Sequence, residues 1–190
     1  DPLQNNSVFR SKNSTTIIIT IDQTPPNVTI TTANNTFFAN PTPTVLFNIT
    51  DTLDFVINYT VFVNTTIEDT NYTNNGTLAN VTLSARGNGS YLITVEGRDD
   101  AGNRANSTPI VIFVDTVVPS INITTANNTN FSDTTPEISF NISDNLDTVL
   151  NYTIFVDGKK DDNGTRPRGQ NTANLTTQTE GEHNIPIEAL

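Results

Sequence analysis

The residues of this chain whose types and spacing could carry chemistry are asparagines placed two positions before a serine or threonine. With 28 Asn and 44 Ser plus Thr among 190 residues, random placement would give roughly 6 acceptor sites for N-glycosylation. The chain has 19 of them: Asn5, Asn13, Asn27, Asn34, Asn48, Asn58, Asn64, Asn71, Asn75, Asn80, Asn88, Asn106, Asn122, Asn127, Asn130, Asn141, Asn151, Asn163 and Asn174. A threefold excess is more than turn and strand preferences explain. We therefore expect N-linked glycans and an extracellular, cell-surface location.

Groups that could catalyse a reaction are scarce. The chain has no cysteine and one histidine, His183, and its sequence contains no phosphate-binding loop, zinc-protease motif or serine-hydrolase motif. We predict that the protein is not an enzyme and has no organic cofactor. A net charge of −11 disfavours nucleic acid and anionic membranes as partners, because both need a basic surface. No apolar run is long enough for membrane insertion.

One group of oxygen-bearing side chains is a candidate for a metal. Asp99, Asp100 and Asn103 lie within five residues of one another, and Asp115 follows shortly after them. Carboxylate and amide oxygens suit calcium. The spacing is not that of an EF-hand, however, and Asp, Gly and Asn are common turn formers. We therefore expect no bound metal, with calcium at these four residues as the alternative.

These groups are positioned by a repeat. The segment 22–65 matches the segment 115–158 at a constant offset of 93 without a gap. FNITDTLDFVINYTVFV at 47–63, for example, corresponds to FNISDNLDTVLNYTIFV at 140–156. Further on, GSYLITVEG at 89–97 corresponds to GEHNIPIEA at 181–189, at an offset of 92. The chain therefore contains two copies of one domain.

Each copy has the pattern of short β-strands. Apolar residues alternate with polar ones, and turn residues separate the runs. In the first copy the side chains expected to point inward are Val45, Phe47, Ile49, Tyr59, Val61, Val63, Val81, Leu83, Ile93, Val95, Ile110, Ile112 and Val114. Six or seven such strands without an amphipathic helix predict an all-β fold of two tandem β-sandwiches. Asn48, Asn58, Asn141 and Asn151 fall in the polar phase, so their glycans would cover outer faces.

The segment GNGSYLITVEGRDDAGN at 87–103, followed by STPIVIFVD and TVVPSINI, resembles the immunoglobulin-like repeats of bacterial and archaeal surface proteins and adhesins. The resemblance implies an immunoglobulin-like sandwich and a surface location. The first copy carries the whole pattern, whereas the second carries only its beginning. It indicates the fold and says little about a binding partner.

The second copy has no counterpart of the last strand of the first. At the other end of the chain, NSTTIIITID at 13–22 matches NSTPIVIFVD at 106–115, again at offset 93. We therefore expect an N-terminal tail with a donor strand (1–21), a complete domain (22–115) and a domain that lacks its last strand (116–190). The predicted donor strand is Asn13, Ser14, Thr15, Thr16, Ile17, Ile18, Ile19, Thr20 and Ile21, with Ile17, Ile19 and Ile21 pointing into the recipient core.

A sandwich that lacks a strand exposes an apolar groove and an unpaired edge. Insertion of a strand from another copy repairs both, and the repeated contact produces an open filament. The arrangement resembles archaeal surface threads and pilus-like filaments, which are N-glycosylated and joined by donor-strand complementation. The first hypothesis is accordingly a structural filament subunit that polymerises head to tail and could adhere to other cells or surfaces.

Two alternatives remain open. The chain could be a segment of a covalently tandem adhesin or a stalk associated with a surface layer, in which the strands are continuous. A carbohydrate-binding sandwich has less support, because the chain has no Trp to stack on sugar rings.

Overall fold

The structure, a computed structural model, describes residues 17–190. These residues form strands and loops, and none of them lies in a helix, so no helix in this part of the chain could cross a membrane. The strands are β1 (Asn27–Ile30), β2 (Thr36–Phe38), β3 (Thr44–Thr50), β4 (Val56–Val63), β5 (Thr66–Asn74), β6 (Leu78–Thr82), β7 (Gly89–Arg98), β8 (Arg104–Asn106), β9 (Ile110–Val114), β10 (Ser120–Ile123), β11 (Glu137–Ser143), β12 (Val149–Val156), β13 (Lys159–Pro167), β14 (Gly169–Asn174) and β15 (Ile187–Ala189).

The first sandwich consists of two sheets. One has the strand order β1-β3-β6, and the other has the order β2-β9-β7-β4-β5, with β8 paired to the end of β7. Neighbouring strands are antiparallel except β2 and β9, which are parallel. β9 thus lies between β2 and β7 and has a hydrogen-bonded neighbour on each side.

The core of the first sandwich contains every side chain that alternation predicts to point inward. Phe47 and Tyr59 meet edge to face at its centre, with their ring centroids 4.9 Å apart. The Tyr59 hydroxyl donates a 3.1 Å hydrogen bond to Asp69 Oδ2. Burial, together with the charge of this carboxylate, raises the pKa of Tyr59 to about 12. Fully burying each aliphatic side chain of this core contributes roughly 1.5–3 kcal/mol.

The second sandwich repeats this plan with fewer strands. Its sheets have the orders β10-β11-β14 and β13-β12-β15. β10 to β13 lie 93 positions after β1 and β3 to β5, and Phe140 again packs beside Tyr152, whose hydroxyl donates a 2.6 Å hydrogen bond to Asp162 Oδ2. Within residues 116–190 no strand corresponds to β2, β8 or β9, and β15 corresponds to only part of β7.

Each sandwich has its own core cluster of buried apolar side chains. The second cluster contains Ile138, Phe140, Ile142, Leu150, Tyr152, Ile154, Val156, Ala173, Leu175 and Ile187. It has no counterpart of Ile110, Ile112 or Val114 within the described residues. The predicted all-β fold of two tandem immunoglobulin-like sandwiches is confirmed, whereas completion of the second sandwich by a donated strand stays a prediction.

The first sandwich has more strands than the six or seven predicted. β2 and β8 are each three residues long, and both are short edge pairings that periodicity does not detect. β2 extends the turn at Asn34 and Asn35 into a parallel contact with β9.

Candidate functional site: the open strand position of the second sandwich

The position of β9 in the first sandwich shows what a completing strand needs. Residues 110–114 pair antiparallel with residues 89–93 of β7, so that Ile110 lies opposite Ile93 and Val114 opposite Gly89. On the other side, residues 112–114 pair in parallel with β2. Ile112 and Val114 are completely buried. The strand is therefore held by two ladders and by apolar contacts on its inner face.

A turn that precedes β2 clamps the middle of β9. Asn34 Oδ1 accepts a 2.8 Å hydrogen bond from the Val111 N–H, and the Asn35 N–H donates a 2.7 Å bond to the Val111 carbonyl. Asn35 has φ 64°, which an asparagine tolerates better than most residues. The Thr36 hydroxyl closes the turn with a 2.7 Å bond to the Ala33 carbonyl.

The second sandwich forms the same turn without the strand. Asn128, equivalent to Asn35, has φ 61°, and the Thr129 hydroxyl donates a 2.6 Å bond to the Ala126 carbonyl. The Asn127 side chain and the Asn128 N–H, which would hold the middle of a strand, have no such partner among the described residues. The clamp is thus in place before any strand occupies it.

Neither flank of this position forms a strand. The segment 181–185 is equivalent to the β7 residues that pair with β9, and on its other side the Asn184 carbonyl still accepts a 2.9 Å hydrogen bond from the Asp157 N–H. Ile185 is half-buried, whereas its counterpart Ile93 is fully buried. Phe131, equivalent to the half-buried Phe38, is 44 % exposed. We call the space between residues 129–131 and residues 181–185 the open position.

The predicted donor strand is described only in part. Asn13 to Thr16 lie outside the described residues, as do Asn5 and the rest of the tail. Ile17 to Ile21 are described, and they form no strand. Ile17, Ile19 and Ile21, which were expected to point inward, are 79 %, 73 % and 74 % exposed. An apolar run of this kind in water is an unpartnered surface.

His183 supports the segment that borders the open position. Its Nδ1 lies 2.8 Å from Asp157 Oδ2, and its Nε2 lies 2.9 Å from the Thr179 carbonyl. The Thr179 carbonyl and the Asp157 carboxylate hold the pKa of His183 above its usual value. The side chain therefore ties residues 179–184 to the β12–β13 turn.

The acceptor asparagines lie at the surface. Of the 17 that the structure describes, none is buried, and 13 are exposed; the half-buried ones are Asn48, Asn58, Asn75 and Asn88. Asn34 and Asn64 each use Oδ1 to accept a backbone hydrogen bond. A glycan is attached through Nδ2, so these bonds and a glycan are compatible.

Asn75 differs from the other acceptors. Its Nδ2 donates to the Asp51 carbonyl at 2.6 Å and to the Asp54 carbonyl at 2.7 Å, and its Oδ1 accepts from the Asp51 N–H at 3.1 Å. In the second copy Arg168 takes this place and donates to the Asp144 carbonyl at 3.1 Å. Both hydrogens of the Asn75 amide are thus engaged in holding the β3–β4 loop.

The structure does not bring the four calcium candidates together at one site. Asp99 lies in a cluster with Asp22, Asp51 and Asp54, in which one oxygen from each residue lies within 4.8 Å of the others. Asn103 donates to both oxygens of Asp99, each at 2.7 Å. Asp100 belongs to neither cluster, although its N–H donates to Asp54 Oδ2 at 3.3 Å.

Asp115 lies in a second cluster with Asp144 and Asp147, which meets the same distance criterion. Sequence reasoning did not name Asp22, Asp51, Asp54, Asp144 or Asp147. Their recurrence at offset 93 is the signal that could have identified them. Burial and the neighbouring carboxylates Asp100, Asp51 and Asp99 hold the pKa of Asp54 above its usual value.

Comparisons with known proteins do not assign the chain to a family. No family model matches the chain, and no curated protein matches it. Among solved structures, it is similar to the fibronectin(III)-like modules of Clostridium thermocellum CbhA, with 18 % identity, a TM-score of 0.47 and coverage of 86 % of this chain and 85 % of that one. It is also similar to the central fibronectin-III array of RIM-binding protein (14 % identity, TM-score 0.30, coverage 90 % and 60 %). A third similar structure is dimeric latent PorU from Porphyromonas gingivalis (12 % identity, TM-score 0.38, coverage 88 % and 20 %).

Proposed function

We propose that this protein is a non-enzymatic structural subunit of an extracellular, N-glycosylated surface filament, in which each copy donates residues 13–21 to the open position of another copy. The observation that carries the proposal is the preformed clamp at Asn127 and Asn128. It reproduces the turn that binds β9 in the first sandwich, and Ile17 to Ile21 match β9 in sequence.

The first sandwich supplies the register of the joint. Transfer of the β7–β9 pairing to the second copy places Ile17 opposite Ile185, Ile19 opposite His183 and Ile21 opposite Gly181. Transfer of the β2–β9 pairing places residues 19–21 beside residues 129–131. The inner face of the donor then presents three isoleucines to the second core. Their burial contributes roughly 1.5–3 kcal/mol each before the entropic cost of ordering the tail.

On the outer face of the joint, two residues that would be neighbours both differ from their counterparts in the first sandwich. Phe113 of β9 stacks on Phe37 of β2, with their ring centroids 4.6 Å apart. In the proposed joint both positions are polar, since Thr20 replaces Phe113 and Asn130 replaces Phe37. A donor and an acceptor that change together fit each other better than either fits the first sandwich.

The location of Asp22 favours a donor from another copy. Asp22 lies in the acidic cluster of the first sandwich, and its carbonyl accepts a 3.3 Å bond from Asn103. Ile21 is therefore fixed at the base of the first sandwich. A strand of nine residues spans roughly 30 Å, so the short tail has no linker with which to reach past a whole domain to the second sandwich.

The acceptor asparagines support the extracellular part of the proposal. They are spread over both sandwiches and are predominantly exposed. Glycans at these positions would cover the outer faces and leave the inner surfaces of the joint free. Within residues 17–190 the one histidine has a supporting role beside Asp157, in agreement with a structural rather than a catalytic protein.

A pair of engineered cysteines tests the joint. Ile18 and Asn184 are predicted to be opposite each other on the outer face, and the natural chain has no cysteine. A chain that carries both Ile18→Cys and Asn184→Cys should give a ladder of subunit multiples on non-reducing denaturing electrophoresis. The control chain combines Ile18→Cys with Thr172→Cys, which is exposed on β14 in the other sheet, and should give no ladder.

Each other outcome contradicts part of the proposal. An internally crosslinked monomer would show that the tail fills its own second sandwich. A ladder of equal strength from the control chain would show that the crosslinks are not specific to the open position. Absence of crosslinks from the test chain would show that the register, or the strand exchange itself, is wrong.

The alternative is a segment of a covalently tandem adhesin or stalk. The observation in its favour is inside the chain, since β9 completes the first sandwich and continues directly through Asp115 into the second. Native material dissociated by heat and detergent distinguishes the two. Separate chains of about the mass of one glycosylated subunit support the filament, whereas a single far longer polypeptide supports the tandem array.

A further inference from the structure

Seven aspartates form two acidic clusters, one beside each sandwich, and their carboxylates have no role in the proposed strand exchange. In the first cluster, Asp22 precedes β1, Asp51 and Asp54 lie in the β3–β4 loop, and Asp99 follows β7. Their closest oxygens lie within 4.8 Å of one another, and Asp99 is only 2 % exposed. Among residues 17–190, no Lys, Arg or His forms an ion pair with any member of either cluster.

Two of these carboxylates each have an oxygen without a partner. Asp51 Oδ1 accepts from the Leu53 and Asp54 N–H groups at 2.9 and 3.2 Å, and Asp22 Oδ1 accepts from the Thr24 N–H at 3.0 Å. Asp51 Oδ2 and Asp22 Oδ2, in contrast, are buried and accept no hydrogen bond. Buried polar atoms in folded proteins are nearly always paired, so two such oxygens in one acidic cluster indicate a missing positive ligand.

The same arrangement recurs in the second copy. Asp115, Asp144 and Asp147 occupy the positions of Asp22, Asp51 and Asp54 at offset 93, and they also cluster within 4.8 Å. The loop geometry is repeated as well, since Asp144 Oδ1 accepts from the Leu146 and Asp147 N–H groups at 2.8 and 3.0 Å. Elsewhere, as in residues 157–180, the two copies have diverged widely.

We propose that each acidic cluster is a binding site for a calcium ion. The side-chain donors are all carboxylate oxygens, which come from three chain segments in the first cluster and from two in the second. Such donors suit the 6–8 oxygen ligands and flexible geometry of calcium. The cluster residues include no histidine or cysteine, the ligands that zinc prefers. Asp22, Asp51, Asp54 and Asp99 would hold the first ion, and Asp115, Asp144 and Asp147 the second.

The two sites should differ in affinity. The first offers four carboxylates. The second offers three, with Asn145 beside them; in the amide orientation that satisfies its neighbours, this residue donates to Asp115 Oδ1 at 3.3 Å and to Asp144 Oδ1 at 3.2 Å. Fewer negative charges and a competing neutral donor weaken calcium binding. The first site is therefore the tighter one.

The location of the sites indicates what the ions would do. Asp115 directly follows β9, and Thr116 donates to Asn88 Oδ1 of the first sandwich at 3.0 and 2.8 Å. Asp22 directly follows Ile21. If the proposed strand exchange holds, every joint of the filament carries the same ion, where the strand that completes one sandwich enters the next.

Calcium binding can be measured independently of assembly. We would use the complete chain with Ile19→Asp, which lies outside both clusters and should block strand exchange, after removal of divalent ions with EDTA. Titration calorimetry with calcium chloride should show two sites, and saturating calcium should raise the melting midpoint by about 10 °C. Asp51→Asn should remove the tighter site alone, and Asp144→Asn the weaker one.

The control is Asp133→Ala, which removes an exposed aspartate outside both clusters without creating a new glycosylation acceptor, and it should leave both sites intact. The proposal is overturned if calcium at about 10 mM, which is well above the dissociation constants of extracellular calcium-binding modules, produces no heat of binding and no shift of the melting midpoint. It is also overturned if the chain with both Asp51→Asn and Asp144→Asn binds as the parent does. Either result leaves the cysteine test of strand exchange unaffected, so the two proposals fail separately.

Discussion

The two sandwiches differ chiefly at one strand. In the first, β9 lies between β2 and β7, and both flanking segments form strands, with Ile93 of β7 buried and Phe38 of β2 half-buried. In the second, no strand of the described residues occupies this place, and the flanking segments 129–131 and 181–185 form no strand either. The central aromatic pair is kept, since the ring centroids of Phe140 and Tyr152 lie 5.3 Å apart, but their planes make an angle of 43° rather than the 71° of Phe47 and Tyr59.

This difference shows which parts of a sandwich form without the strand β9 and which parts depend on it. The two inner sheets close around the core without β9, because β11 and β12 supply its central side chains. The turn at Asn127 and Asn128 also forms alone, since its bonds are local. The segments on either side, in contrast, form strands only in the copy that has β9. Substitutions at matched positions of the two copies test this interpretation.

The largest effect should come from the strand itself. Ile112→Ala in β9 empties a completely buried site and should lower the free energy of unfolding of the first sandwich by about 2–5 kcal/mol. Ile19→Ala, the matched change in the donor segment, removes a side chain that is 73 % exposed in the single chain. It should leave unfolding of the dilute single chain unchanged and weaken assembly instead.

Urea unfolding at low protein concentration, with light scattering at high concentration, measures both variants. Equal destabilisation of the dilute chain by Ile19→Ala would mean that the segment already packs within its own chain.

The next effect concerns close packing between β7 and β1. A Cβ added at Gly97 would lie 2.8 Å from Val28 Cγ2 and 3.2 Å from Ile49 Cγ2. Gly97→Ala should therefore cost about 1–3 kcal/mol in the first sandwich through overpacking. The equivalent residue in the second copy is Ala189, which packs against the core there.

Ala189→Gly should cost about 0.5–1 kcal/mol, as glycine does within a strand. Thermal unfolding of both variants gives the comparison. If Gly97→Ala proves the milder change, β1 moves away from β7 more easily than the packing indicates.

A smaller effect is expected at the two-residue hairpin loops. The loop between β4 and β5 has positive φ at Asn64 (48°) and Thr65 (72°), and the loop between β12 and β13 has it at Asp157 (51°) and Gly158 (78°). Positive φ at both positions is typical of a type I′ turn, which favours Asn or Asp followed by Gly. A β-branched residue there is strained.

Thr65→Gly should stabilise the first sandwich by about 1 kcal/mol, and Gly158→Thr should destabilise the second by a similar amount. Thr65→Gly keeps the acceptor sequence of Asn64, since Thr66 supplies the hydroxyl. Melting midpoints should shift in opposite directions. A fall in midpoint for Thr65→Gly would show that the turn is relaxed by its surroundings.

The smallest effect is a dependence on pH confined to the second sandwich. The pKa of His183 is raised in the folded chain by the Thr179 carbonyl and by Asp157, so its contribution to stability is fully present below its unfolded pKa of about 6.5. That contribution is lost as the pH rises through the higher folded pKa. Mainly the Asn184 N–H, and then His183, lower the pKa of Asp157, whose contribution is lost only in acid.

The melting midpoint of the second sandwich should accordingly fall slightly between about pH 6 and pH 8. In the first copy the equivalent residue is Tyr91, so His183→Tyr should remove this slope while the first sandwich stays unchanged. A slope that persists in His183→Tyr would assign the effect to another group.

Much of the fold follows from the sequence because strand geometry is local. Side chains alternate between the two faces of a strand with a period of two, so the pattern of Val45, Phe47 and Ile49 by itself indicates which face is buried. The repeat then carries the same assignment to the second copy. The sequence match of residues 13–22 with residues 106–115 likewise needs no coordinates.

The short strands and the acidic clusters could not be predicted from periodicity or from the repeat. β2 has three residues and no alternation to detect, and it exists because the turn at Asn34 brings it beside β9. Asp22 and Asp99 are far apart in sequence, and they meet because the start of β1 and the end of β7 lie at the same end of one sandwich. The predicted grouping of Asp99 with Asp115 followed sequence distance, and the structure assigns them to different clusters.

Asn75 also shows the difference between what the sequence indicates and what the structure adds. The sequence places Asn75 among 19 equivalent acceptors, but the structure engages both of its amide hydrogens with the carbonyls of Asp51 and Asp54. By itself, then, the sequence determined two copies of one sandwich, their buried faces and a donor-like strand, because these depend on local periodicity and self-similarity. Only the tertiary structure decided that the second copy keeps a formed clamp beside an open position and which carboxylates converge, because both depend on how distant loops meet when the sheets pack.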